Sequence, residues 1–181
     1  MHRKRWIAGL LAGILAGISL ISCSAGENLI KASGKYGTFS ITKPDGWIAM
    51  KGELMDGAVL EAGNYAKEQY FLVLRESKDD LAMDFEEYTS IVKQNTAASV
   101  QDAELGQSAD LTIDGKNAHL FEITGLVDNY KVHYWIYTID HDGAFLRILS
   151  WTLNSKAEEY APIFQSAALS LKVTASEEDV Q

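Results

Sequence analysis

Three tight-turn signals in the C-terminal half of the chain constrain its fold more than any other feature. They are Asp114-Gly115, Asp128-Asn129 and Asp142-Gly143. They join four segments of strand character: Leu111–Ile113, Lys116–Leu126, Tyr130–Ile139 and Ala144–Thr152. Asp, Asn and Gly tolerate the positive φ that short hairpin turns require. Successive hairpins pair antiparallel, so this half predicts a mostly antiparallel meander.

The segment before the meander predicts further strands. Period-2 alternation or a continuous apolar run is typical of a strand. Four segments fit: Gly37–Thr42, Trp47–Met50, Ala58–Ala62 and Tyr70–Arg75. The polar segment 99–107 is predicted to be a loop or a ragged sheet edge. Together with the meander, these strands indicate an α+β fold.

Two helices are predicted, each from an apolar stripe and a capping box, in which Asp or Ser precedes Glu by three positions. The first helix begins at Asp84 and Glu87 and ends near Ala98. Its stripe is Leu81, Phe85, Tyr88 and Val92. The second begins at Ser155 and Glu158, and its stripe is Tyr160, Ile163, Phe164 and Ala167. Pro162 lies inside the second helix and should kink or divide it.

The N-terminal stretch predicts export. Arg3, Lys4 and Arg5 precede an apolar run from Trp6 to Ile21. A membrane-spanning helix needs about 20 apolar residues, so this run is short for an anchor and suits a signal peptide. Two alternatives remain: a short transmembrane anchor, and an ordinary signal peptide followed by a chance cysteine.

The end of this stretch, Leu20-Ile21-Ser22-Cys23, resembles the bacterial lipoprotein processing box. The resemblance implies cleavage after Ser22 and attachment of diacylglycerol to Cys23, with fatty acids such as palmitate as the anchor. Cys23 is the only cysteine, so the chain can form neither an internal disulfide nor a cysteine zinc cluster.

The net charge limits the possible partners. Removing Arg3, Lys4 and Arg5 from 16 basic residues leaves 13 against 25 acidic ones, a net charge of −12. This charge argues against nucleic acid as a partner and against electrostatic binding to anionic lipid. Attachment to the membrane is therefore expected through the lipid anchor alone.

We predict four regions. Residues 1–22 are the signal peptide, and residues 23–35 are the lipidated N-terminus and a flexible linker. Residues 36–173 form the α+β domain, and residues 174–181 are a disordered acidic tail.

The segment Phe39–Trp47, with Pro44-Asp45-Gly46-Trp47 at its end, resembles the opening of PsbP-like domains. Tyr160, Phe164 and Ser170–Lys172 resemble their closing pattern. The resemblance implies an α/β/α sandwich around a mostly antiparallel sheet. It also implies a role as a binding or assembly partner of other proteins, but it supplies no functional residue.

No catalytic or cofactor motif accompanies these features. The sequence lacks the Gly-x-Ser-x-Gly, phosphate-loop and His-Glu-x-x-His patterns. Asp140–Gly143 lacks the ligand series of a calcium loop and is interpreted as a hairpin turn. A metal site built from His119, His133 and His141 is a minor alternative, and no cofactor is expected.

The aromatic residues of Tyr130–Ile139 suggest a binding surface. Lys131, His133, Trp135, Tyr137 and Ile139 share one face of this strand, and Tyr130, Val132, Tyr134, Ile136 and Thr138 share the other. His133, Trp135 and Tyr137 are the candidate binding residues, because Tyr and Trp suit partner surfaces. The alternative is that they pack in the core.

The expected function is that of a membrane-tethered, non-enzymatic binding or assembly lipoprotein. It would lie on the outer face of a bacterial cell membrane, or on the outer membrane if the host has one. Its partner would be another envelope protein or a small ligand. The alternatives are an envelope hydrolase with a dispersed site, and an accessory lipoprotein with a structural role at the cell wall.

Overall fold

The computed structural model describes residues 28–174. The predicted signal peptide, Ser22, Cys23 and all but Thr174 of the predicted acidic tail lie outside this range. The strands are β1 Leu29–Gly34, β2 Gly37–Thr42, β3 Ile48–Met50, β4 Leu60–Asn64, β5 Gln69–Ser77, β6 Gln101–Ile113, β7 Lys116–Val127, β8 Tyr130–His141, β9 Ala144–Leu153 and β10 Lys172–Thr174. The helices are α1 Lys78–Leu81, α2 Phe85–Ala98 and α3 Ala157–Leu169. None of the helices in this part of the chain is long and apolar enough to cross a membrane.

A seven-stranded antiparallel sheet forms the centre of the fold, in the order β3-β4-β5-β9-β8-β7-β6. The predicted meander is confirmed as β6 to β9. Asp114 and Gly115 both have positive φ, as do Asp128 and Asn129, which is the conformation that a type I′ hairpin turn requires.

The two faces of this sheet are covered by different elements. On one face, α3 and a small sheet of order β1-β2-β10 enclose the larger core. There the Trp47 ring lies 5.8 Å from Phe71 and 5.6 Å from Phe164. On the other face α2 covers a smaller cluster, where Tyr88 stacks on Phe145 with ring centroids 4.4 Å apart. The α+β prediction with helices on both faces of the sheet is confirmed.

The linker predicted for residues 23–35 is wrong for Leu29–Gly34, which is strand β1. Its residues pair antiparallel with β2, and Ile30 is buried against the core. This segment has few apolar residues, but β2 supplies the partners for its backbone hydrogen bonds. The segment therefore forms a strand.

Segment 99–107 belongs mostly to β6, so the ragged-edge alternative is correct and the loop alternative is wrong. Two register shifts interrupt its pairing with β7, one between Gln101 and Glu104 and one between Leu105 and Ser108. Such bulges are common on edge strands.

Only the first of the two predicted helix starts is confirmed. The Asp84 carboxylate accepts a hydrogen bond from the Glu87 backbone N–H at 2.8 Å. The second prediction is wrong, because Asn154–Lys156 forms a 3₁₀ turn and α3 starts after it, with no side-chain cap. Pro162 does not divide α3, which is continuous to Leu169.

Candidate binding site

The predicted binding residues of β8 do not form an exposed groove. Trp135 and Tyr137 are 5% and 1% exposed, and the Trp135 ring stacks on Phe164 of α3 at 5.1 Å. His133 is half-buried, stacks on Trp135 at 4.2 Å, and lies 3.2 Å from a Glu122 carboxylate oxygen. Trp135 and Tyr137 therefore pack in the core, as the alternative interpretation predicted, because α3 covers their face of the sheet.

The opposite face of the sheet carries a second set of aromatic residues, which we name the aromatic row: Tyr65, Tyr70, Trp151 and Tyr134. Tyr70 of β5 pairs with Trp151 of β9, and Trp151 pairs with Tyr134 of β8. Side chains directly opposite one another in adjacent strands lie on the same face. Tyr70, Trp151 and Tyr134 therefore share one face, and their successive ring centroids lie 5.2 and 6.3 Å apart. Tyr65 lies in the 3₁₀ turn Tyr65–Lys67 before β5, and its ring centroid is 6.1 Å from that of Tyr70.

The aromatic row is adjacent to α2 and is not fully buried. The buried cluster beneath α2 includes Phe121, Ile136 and Phe145, and Tyr134 packs at its border. Beyond Tyr134, the rings of Trp151 and Tyr70 are half-buried and Tyr65 is 47% exposed. This part of the sheet therefore presents ring surface to solvent.

A groove of about 410 Å³ lies beside the aromatic row, and we name it the aromatic groove. Its lining residues are Glu68, Tyr70, Val127, Asp128, Tyr130, Val132, Tyr134, Trp151, Thr152 and Leu153. Tyr130 follows the Asp128-Asn129 turn and is 65% exposed, the largest value among the exposed large apolar side chains of residues 28–174. The volume falls within the usual range for small-molecule sites, about 300–1,000 Å³.

Two tyrosines of the row, Tyr65 and Tyr134, have a pKa above the ordinary value. The Tyr65 hydroxyl donates to a Glu53 carboxylate oxygen, and this hydrogen bond, with desolvation, raises the Tyr65 pKa. Burial raises the pKa of Tyr134. The charge of the aromatic groove therefore comes from two exposed carboxylates, Glu68 and Asp128. Such a surface can bind an apolar or cationic group.

The sequence contains a signal for this second aromatic set, on the face of β8 opposite to that of His133, Trp135 and Tyr137. Tyr130 and Tyr134 alternate on the face of β8 opposite Trp135. Tyr70 and Trp151 become neighbours only through the β5–β9 pairing, which joins distant parts of the chain. The local pattern therefore could not identify the row.

A separate polar cluster joins β6 and β7. His119 Nδ1 lies 2.7 Å from Asp110 Oδ1, and His119 Nε2 lies 2.8 Å from Ser108 Oγ. His119 and Asp110 also line a groove of about 620 Å³ beneath α2. The Asp110 side chain is 94% exposed, so water screens its charge.

The three histidines of the minor metal alternative have different surroundings. His119 contacts Asp110, His133 contacts Glu122, and His141 lines a third groove near Asp114. Among residues 28–174, no group of three or more His, Cys, Asp or Glu side chains is placed to hold a metal ion.

No protein-family model matches the sequence, and no curated protein does either. The fold does match solved structures. The cyanobacterial PsbP (CyanoP) of Synechocystis sp. PCC 6803 matches with a TM-score of 0.57 and 19% identity, over 86% of this chain and 99% of that chain.

Two further structures have similar folds. LpqN, involved in cell envelope biogenesis of Mycobacterium tuberculosis, matches with a TM-score of 0.60 and 10% identity, over 81% of this chain and 90% of that chain. PA94 of Pseudomonas aeruginosa, of unknown function, matches with a TM-score of 0.54 and 14% identity, over 82% of this chain and 99% of that chain. At such identities the likeness concerns architecture alone. The chain has a PsbP-like α+β fold.

Proposed function

We propose that this protein is a lipid-anchored, non-enzymatic binding module on the outer face of a bacterial membrane. It engages another envelope protein through the aromatic row. The observation that carries the proposal is the continuous ring surface beside α2, which ends at the exposed Tyr65 and adjoins the exposed Tyr130. The aromatic groove could also receive a small ligand.

The residue types support a role in binding. Tyr and Trp are enriched at the energetically important positions of protein interfaces, because they combine a large apolar area with a polar group. A partner that covers the row would remove ring surface from water without deforming the sheet. The similarity to the fold of LpqN, which is involved in cell envelope biogenesis, supports an envelope role by analogy.

Site-specific photo-crosslinking in cells tests the proposal. We expect a benzophenone amino acid at Tyr130 to yield a reproducible protein adduct, and Trp151→Ala to diminish it. The control position is Leu169, which is 44% exposed on α3, on the other side of the sheet. If Tyr130 gives no reproducible adduct, or if Leu169 gives the same one, the proposal is wrong.

A second candidate function is supported by the cluster of Ser108, His119 and Asp110. The histidine contacts the carboxylate through Nδ1 and the serine through Nε2, which is the arrangement that activates a serine nucleophile. As the edge strand, β6 also has outward-facing backbone N–H groups that could stabilise an oxyanion. This arrangement favours the hydrolase alternative.

Labelling with a fluorophosphonate probe and hydrolysis of p-nitrophenyl acetate test this second candidate. A hydrolase would lose both signals in Ser108→Ala and keep them in Ser155→Ala, a control at an exposed serine that does not line the groove beneath α2. Absence of labelling in the unchanged protein excludes a serine hydrolase of this kind.

A further inference from the structure

The charges of the aromatic groove indicate the chemistry of its occupant, and this step rests on the proposed function. Glu68 and Asp128 are the charged residues of the lining, which contains no Lys, Arg or His. Within residues 28–174, neither carboxylate has an ion-pair partner. Of the basic residues near these two carboxylates in sequence, Lys67 lines a different groove and Lys131 contacts Glu104.

The rings strengthen the negative character of the aromatic groove. The face of an aromatic ring attracts cations through its quadrupole, and Trp and Tyr do so most strongly. Tyr70 and Trp151 stack on each other with 22° between their planes, so part of each ring face is covered. The remaining ring surface of this pair and of Tyr134, which adjoins Trp151, lines the groove. A group that carries positive charge and a flat apolar surface would satisfy both the rings and the carboxylates.

We propose that the aromatic groove receives an arginine side chain from the protein partner. A guanidinium group is planar, stacks on aromatic rings, and donates paired hydrogen bonds to carboxylates. A lysine ammonium is compact and strongly hydrated, and so it matches the flat ring surface less well. The chain itself contains this type of contact, because the Arg75 guanidinium lies 4.1 Å from the centroid of the Tyr36 ring.

The test uses the full-length mature protein in detergent and two small probes, N-acetyl-arginine amide and N-acetyl-citrulline amide. Citrulline has nearly the same shape as arginine but no charge. We expect the arginine probe to change the tryptophan fluorescence and to bind about tenfold more tightly than the citrulline probe. Trp151→Phe should remove the change, because Trp47 and Trp135 are buried away from the groove and Trp6 belongs to the predicted signal peptide, which the mature protein lacks.

A charge-matched pair of variants locates the effect. Glu68→Gln with Asp128→Asn should weaken binding of the arginine probe by about fivefold or more. The control, Asp79→Asn with Glu158→Gln, removes two exposed carboxylates that do not line the groove, and binding should be unchanged. A lysine probe, N-acetyl-lysine amide, should bind more weakly than the arginine probe.

Equal binding of the arginine and citrulline probes, or equal binding by the two double variants, would overturn the inference. Equal binding of the lysine probe would overturn the choice of arginine. The crosslink from Tyr130 does not depend on the outcome of these probe experiments. If the adduct forms but probe binding does not depend on charge, the partner binds through a neutral group. Conversely, arginine binding without any adduct would contradict the protein partner.

Discussion

At the residue scale, Tyr137 shows how burial makes stability depend on pH. Its side chain is 1% exposed, and burial, with a smaller effect of the Glu122 carboxylate, raises its pKa to about 12. A tyrosine in the unfolded chain titrates near pH 10. The folded state therefore holds the proton more tightly, so the contribution of Tyr137 is complete below about pH 10 and is lost as the pH rises towards 12.

We therefore expect the free energy of unfolding to be insensitive to this group below about pH 10. Above that, it should fall by about 2–3 kcal/mol as the pH approaches 12. Tyr137→Phe should make this decrease smaller, although burial and the hydrogen bond to Glu76 also raise the pKa of Tyr88. Urea unfolding followed by circular dichroism between pH 8 and 11.5 measures the effect. Tyr36→Phe, at an exposed position, is the control. An undiminished decrease in Tyr137→Phe would contradict the prediction.

The same strand shows what local sequence can predict about a site. The alternation of side chains along β8 correctly placed Trp135 and Tyr137 on one face of the strand and Tyr134 on the other. It could not predict which face α3 would cover, because the two faces are similarly aromatic. That choice depends on Phe164, which packs on Trp135 from a helix almost thirty positions later in the chain. The aromatic character of both faces of β8 was therefore predictable, but the face that α3 would leave uncovered was not.

At the scale of elements, the two predicted capping boxes allow a comparison of two matched substitutions, one in each box. Asp84→Ala removes a carboxylate that accepts the Glu87 N–H, so it should destabilise the protein by about 1 kcal/mol. Ser155→Ala should change stability by less than about 0.5 kcal/mol, because Ser155 lies in the 3₁₀ turn and caps no helix. Urea denaturation at neutral pH measures both. A loss in Ser155→Ala as large as in Asp84→Ala would contradict the observed start of α3.

Elements that depend on a partner strand were the ones that the sequence predicted poorly. The central strands of the meander bury many apolar side chains, so their pattern is strong. In contrast, β1 buries mainly Ile30, and residues 101–110 of β6 are all exposed. Backbone pairing with β2 or β7 holds these strands in the sheet, and neither partner can be recognised from the segment itself.

At the scale of the whole molecule, the two ends of the described chain meet in one small sheet. Both β1 and β10 pair with β2. This sheet belongs to the core on the α3 side, whereas the aromatic row lies on the α2 side. Leu29 follows Cys23 by six positions, a reach of at most about 20 Å. The proposed anchor would thus hold the domain near the bilayer through an element distinct from the aromatic row.

This arrangement predicts that attachment depends on Cys23 and not on the domain. The net charge of −12 expected after cleavage gives no attraction to anionic lipid. Acyl chains contribute about 0.8 kcal/mol of binding free energy per buried methylene, and stable attachment needs two chains or one chain with a second membrane-binding feature. Cys23→Ala should therefore abolish incorporation of radiolabelled palmitate and membrane attachment, and Ser24→Ala should preserve both. If the unchanged protein takes up no label, or if Cys23→Ala is labelled equally, Cys23 is not the anchor.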